Sequence, residues 1–256
     1  MPVMDEFKEE RAALKHSTPQ QKFSYFVEYY KWHVVAGVLI LAFLISVIHH
    51  IVTNKDTAFY AAYINSLSVG SSEEHLQAFA EYAGIDMDTY DLKIDDTLYM
   101  DLDTPSQDTM ATSQKIMAYM AAGEIDVFLS DEAIIQQYAY NEGFYDLREI
   151  LSQEQLDRYE PYFFYMDQTV AEALDNARSD PNYDYTQEPA MPDPKDPDAM
   201  DRPIPVGIYL DRADSLSELY YFNGGNPGII AVAITSSHAD TAVKYIDFLL
   251  ESPAAP

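Results

Sequence analysis

Apolar positions along this chain follow three different rhythms. In the first, no charged residue occurs between Lys31 and Lys55, and eleven positions from Val34 to Ile48 are Val, Leu, Ile or Phe. A helix of this kind is apolar on every face. At about 1.5 Å per residue it covers the roughly 30 Å hydrocarbon core of a bilayer. Trp32 and His33 at one end, and His49 and His50 at the other, are amphipathic rings suited to headgroups. The pattern predicts a transmembrane helix over 32–52. More than thirty residues precede it, and "HHIVTNKD" behind it offers no small-residue cleavage site, so an uncleaved signal anchor is expected.

The second rhythm is helical and lies in front of that stretch. Thr18 can cap, Pro19 suits a first helical position and Gln21 completes a capping box. Phe23, Phe26, Val27 and Tyr30 repeat opposite Lys22, Glu28 and Lys31. Residues 1–31 therefore read as a short charged helix followed by an amphipathic helix at a membrane interface.

The third rhythm alternates strands with helices from residue 57 onwards. "TAFYAAYIN" (57–65) predicts a strand and "SSEEHLQAFAEYAG" a helix closed by Gly84. "TLYMDLD" (97–103) reads as a strand. Residues 106–122 read as a helix with Ile116, Met117 and Met120 on one face and Gly123 as its stop. "IDVFLSD" predicts a buried strand, with Ser130 capping a helix that ends near Gly143. "SQEQLDRYEP" is a short helix with its own capping box, and "YFFYMD" a strand. The six prolines of residues 180–203 predict an exposed loop with polyproline tendencies. Order returns with strand "IPVGIYLD", helix "DSLSELYYF", turn "NGGNPG", strand "IIAVAITSS" and helix "HADTAVKYIDFLLE".

Such alternation predicts an α/β domain over 57–256 with a mostly parallel sheet and helices on both faces. Ligands of such sheets sit beyond the carboxyl ends of the strands. That rule selects Asn65 and Ser66, Asp103 and Thr104, Ser130 and Asp131, Asp211 and Arg212, and Thr235 and Ser236. Asn65, Asp103, Ser130 and Asp131 are the candidate ligand contacts.

Charge changes the picture in two ways. The chain holds 15 basic and 43 acidic residues, and the first 31 residues carry five of each, so the whole net charge of −28 falls behind the apolar stretch. Such an excess repels nucleic acid and anionic lipid, and favours cations or basic partners. Lys8, Arg11, Lys15, Lys22 and Lys31 precede the expected span, while only Lys55 follows it closely. That bias predicts a single-pass protein of the cell membrane, with a cytoplasmic N-terminus and an extracellular C-terminal domain.

Catalytic and metal chemistry find little support. The chain has no cysteine, which excludes disulfides, thiol catalysis and thiolate metal sites. Its six histidines lack metal-ligand spacing. "DMDTYD" (86–91) and "MDLDTPSQD" (100–108) lack the glycine and closing glutamate of a calcium loop. Ser130 in "LSDEA" lacks the flanking glycines of a nucleophile elbow. No catalytic residue, metal or cofactor is expected, and the chain reads as a non-enzymatic binding module.

"MAYMAAGEIDVFLSDEAIIQQYAYNEGFYDLREIL" (117–151) resembles a segment of the extracellular solute-binding proteins of ABC importers, which have the type II periplasmic-binding fold. Gly123, Asp126, Gly143, Asp146 and Leu147 carry the match. "GIIAVAITSSHADTAVKYIDFLLE" resembles the strand and helix that return to the first lobe in that family. The opening "MDEFKEERAALKHSTPQQKFSYFVEYYKWHVVAGVLI" looks like that of single-span proteins from anaerobic Gram-positive bacteria of the gut. The resemblance implies one binding lobe tethered to a membrane, with a small polar solute, an ABC transporter or another envelope protein as partner. Only about eighty residues separate Arg148 from the returning strand, and the proline-acid loop takes over twenty of these. A full second lobe does not fit, so a single lobe with a small extra subdomain is expected. An adaptor of an envelope complex without a ligand site, or less favourably an envelope hydrolase, stands as the alternative.

Overall fold

Strand β1 (Asp56–Ile64) shows how the architecture arises. Its last six residues are all buried, and alternate residues face opposite ways. Phe59, Ala61 and Tyr63 enter one apolar cluster, and Tyr60, Ala62 and Ile64 enter the other. A strand buried on both faces needs layers on both sides. The computed structural model describes residues 18–53, 55–104, 106–179, 184, 189–222 and 228–251.

The chain forms two compact units, divided between Lys55 and Asp56. In the first, α1 (Pro19–Thr53) starts at the proline expected at its first position. Among the described residues, no helix is long and apolar enough to cross a membrane. This corrects the transmembrane helix and signal anchor expected at 32–52. It also corrects the single-pass cell-membrane placement with a cytoplasmic N-terminus and an extracellular C-terminal domain. The charged helix expected over 1–16 and the side chains of Phe26, Val27 and Tyr30 lie outside the described residues.

The second unit is a three-layer α/β fold. Its six-stranded sheet runs in the order β3 (Tyr90–Leu98), β1, β4 (Val127–Ser130), β8 (Ile229–Val232), β6 (Pro203–Tyr209), β5 (Phe163–Asp167). Helices α2 (Ser72–Ala83) and α9 (Ala239–Glu251) bury Phe79 and Tyr245 against one face. On the other face, α3 (Gln107–Ala122), α4 (Glu132–Ala139) and α7 (Gln168–Arg178) contribute Ile116, Ile134 and Leu174. A separate ribbon pairs β2 (Ser66–Ser68) with β7 (Tyr220–Phe222).

The sheet is mixed rather than mostly parallel. β1 runs parallel to β3 and β4, but β4–β8, β8–β6 and β6–β5 are antiparallel. Nor do the residues after Arg148 build a separate subdomain: they add β5, β6 and β8 to the same sheet, inside one compact unit.

Several elements differ from expectation for local reasons. The strand expected at 97–103 lies earlier, at Tyr90–Leu98. It is an edge strand, and its Lys93 and Thr97 face solvent, so its polar letters hide it. The expected helix 214–222 is the single turn α8 (Asp214–Ser217) followed by β7. On α3, Ile116 is buried while Met117 is 55% exposed. Part of the proline-acid loop packs inward through Pro194 and Met200, and the tract around 180–188 lies outside the described residues apart from Asp184. Residues 223–227 of the expected turn also lie outside them.

Short helices α5 (Leu147–Ile150) and α6 (Gln153–Tyr159) connect the halves. α6 carries the expected capping box, with Ser152 and Gln155 each satisfying the other's backbone N–H. Gly84 and Gly123 close α2 and α3 at φ of 72° and 69°, a left-handed conformation that favours glycine.

Candidate functional site

β1 and β4 run parallel, so their carboxyl ends open on the same side of the sheet. Asn65 follows β1 directly and has a φ of 57°. Asparagine tolerates this left-handed conformation because its short amide bonds locally. Its Nδ2 donates to the Met100 carbonyl at 2.9 Å and to Asp131 Oδ2 at 2.9 Å, and its Oδ1 accepts from the Met100 N–H at 2.8 Å. One buried side chain therefore ties the end of β1, the loop after β3 and the start of α4 together.

Asp131 completes the tie. Its Oδ1 accepts from the Ile134 N–H and caps α4. Ser130 was expected to be that cap. Instead it is the last, fully buried residue of β4 and donates to the Ile64 carbonyl at 2.9 Å. The cap falls one residue later because Ser130 still belongs to β4 and its hydroxyl is already committed to the Ile64 carbonyl.

Beyond these ends lies a cleft of about 750 Å³. Asn65, Asp103 and Asp131 line it, as does Asp211 from the wider strand-end set. Ser130 does not. Thr235 and Ser236 sit elsewhere: β8 is antiparallel to β4, so its carboxyl end points to the opposite pole, and only its first residue, Ile229, reaches the cleft.

The lining residues that the strand-end rule does not reach include Tyr99, Asp101, Glu132, Lys195 and Tyr209. Tyr209 ends β6 and donates its hydroxyl to Glu132 Oε2 at 2.9 Å. Burial first, and then the Glu132 carboxylate, push that hydroxyl well above the usual tyrosine range, so it remains a donor. Lys195 places its Nζ 4.2 Å from the centre of the Tyr209 ring. A signal for Lys195 did exist, as it is the sole basic residue between Arg178 and Arg202.

Two smaller hollows adjoin. One of about 320 Å³ shares Lys195, Tyr209 and Asp211 with the main cleft and continues along Pro161, Tyr162 and Tyr165. The other, about 410 Å³, runs past Met100, Met110 and Met117. Neither histidine nor serine lines the main cleft. Among the described residues, no group of three or more His, Asp or Glu side chains is arranged to hold a metal ion.

The opposite pole of β4 is closed. Asp126 is fully buried, and accepts from the Tyr60 N–H at 2.8 Å and from Ser236 Oγ at 2.6 Å. His238 Nδ1 lies 3.3 Å from the same carboxylate. Burial nevertheless dominates and raises the Asp126 pKa above its ordinary value, the hydrogen bonds and His238 pulling the other way. The remaining residues behind the solute-binding resemblance are structural too. Gly123 and Asp146 cap helices, and Leu147 is core. At Gly143 a Cβ would come within 3.0 Å of the Tyr138 carbonyl.

No protein-family model, curated protein or solved structure matches this chain.

Proposed function

We propose that the α/β unit is a non-enzymatic binding module, and that the cleft beyond β1 and β4 takes a small polar ligand. The single observation that carries this reading is the cleft itself. It is open, sits where α/β sheets bind ligands, and is braced by the buried Asn65–Met100–Asp131 network. The lining groups suit recognition rather than bond cleavage: carboxylates, a lysine and tyrosines, with no histidine beside a hydroxyl nucleophile. An adaptor whose site has been lost should instead have that space filled by side chains.

Thermal unfolding of the full chain with a panel of sugars, amino acids and short peptides tests the reading. At least one ligand is expected to raise Tm in a concentration-dependent way, since a ligand that prefers the folded state stabilises it by mass action. No shift with any panel member overturns it in favour of the adaptor.

A further inference from the structure

The cleft's charged groups divide by whether the fold already uses them. Asp131 takes Asn65 and the α4 backbone, and Glu132 takes Tyr209. Asp101 Oδ1 takes the Asp103 and Thr104 N–H groups. Those three carboxylates brace the walls. Among the described residues, the side chains of Asp103, Asp211 and Lys195 make no hydrogen bond or ion pair, and all three are exposed. The Lys195 ammonium lies over the Tyr209 ring. Each is available to a ligand, two as acceptors of a cation and one as donor to an anion.

Lys195, Tyr209 and Asp211 also line the adjoining hollow, so the two spaces form one groove with the lysine between them. The far part is lined by Glu160 together with Pro161, Tyr162, Phe163, Tyr165 and Pro197, and its rings and prolines suit an apolar or aromatic group.

From this division we infer that the groove binds a zwitterion of the amino-acid or short-peptide class. The ligand's ammonium faces Asp103 and Asp211, its carboxylate faces Lys195, and its apolar side chain lies in the adjoining hollow. The inference rests on the binding reading above. The chain's net charge of −28 opposes a simple anion. A simple amine leaves Lys195 without an anionic partner. A zwitterion carries no net charge into the acidic field and engages both kinds of free group.

Calorimetric titration of the full chain with matched probes tests this. L-phenylalanine and glycyl-L-phenylalanine carry both charges, 2-phenylethylamine lacks the carboxylate, and 3-phenylpropionate lacks the ammonium. At least one zwitterion is expected to bind at least tenfold more tightly than either truncated probe. Lys195→Met should weaken the zwitterion at least tenfold and leave the amine unchanged, and Lys195→Arg should restore most of the loss. Asp103→Asn should weaken the amine and the zwitterion together. Equal binding of amine and zwitterion, or a Lys195→Met variant that binds as the wild type does, overturns the inference. If only a neutral sugar binds, the ligand class falls and the binding module stands. If neither probes nor sugars bind, both fall.

Discussion

The two poles of β4 carry the same residue type and put it to opposite use. Asp126 precedes the strand and Asp131 follows it. At the first pole the carboxylate is sealed and bonded to the Tyr60 backbone and Ser236, with His238 beside it. At the second the carboxylate is tied to Asn65 and the α4 backbone on one side, with a cleft open on the other. The difference comes from strand direction. β8 runs antiparallel to β4, so it delivers Ser236 and His238 to the closed pole, and Ile229 alone to the open one. A buried carboxylate with a full set of donors is a clamp, whereas one that braces a rim leaves neighbouring groups free for a ligand.

Breaking the clamp should have the largest effect. Asp126→Ala leaves the Tyr60 N–H and Ser236 without their acceptor inside the fold, and should cost about 4 kcal/mol in urea unfolding. A cost under about 1 kcal/mol would show that the closed pole is no clamp. At the open pole, Asn65→Ala removes three hydrogen bonds and keeps a left-handed backbone that alanine disfavours. It should cost about 3 kcal/mol and abolish ligand-induced stabilisation as well. Retention of that stabilisation would separate the brace from the cleft.

A buried polar chain in the core belongs to neither pole and sharpens the contrast. His75 Nε2 lies 2.7 Å from the Tyr245 hydroxyl, which in turn meets the Tyr63 hydroxyl at 2.5 Å. Burial pulls the His75 pKa down from 6.5 to about 4. A histidine with a lowered folded pKa stabilises the fold fully above the unfolded value and loses that contribution as pH falls towards the folded one. Stability should therefore drop by roughly 2 kcal/mol between pH 7 and pH 5 from this group. His75→Gln should remove that component of the pH dependence, which urea unfolding at the two pH values would register. The smallest effect on stability belongs to Asp103→Asn, on the exposed rim. Its unfolding free energy should stay within about 0.5 kcal/mol of wild type while ligand affinity changes. An equal loss of both would make Asp103 part of the brace.

Much of the second unit was legible in its letters. β1 and α2 announced themselves by an apolar run and by Gly84 as a helix stop, and α6 by its capping box. The strand-end rule brought Asn65, Asp103 and Asp131 to the cleft, and misplaced Ser130 by one pleat. Edge strand β3 was read seven residues late because half-buried aspartates and an exposed lysine mask an edge. The apolar run at 32–52 was read as a bilayer span, and among the described residues no helix meets that requirement.

By itself, the sequence determined what depends on neighbours a few residues apart: caps, helix faces, buried strands, and the acidic charge after residue 55. Strand direction was beyond it. Whether β8 runs with β4 or against it is decided by where distant segments pack, and side-chain alternation is the same in either case. That choice closed one pole and opened the other. It put Lys195, Tyr209 and Glu132 around a common space, though they lie far apart along the chain.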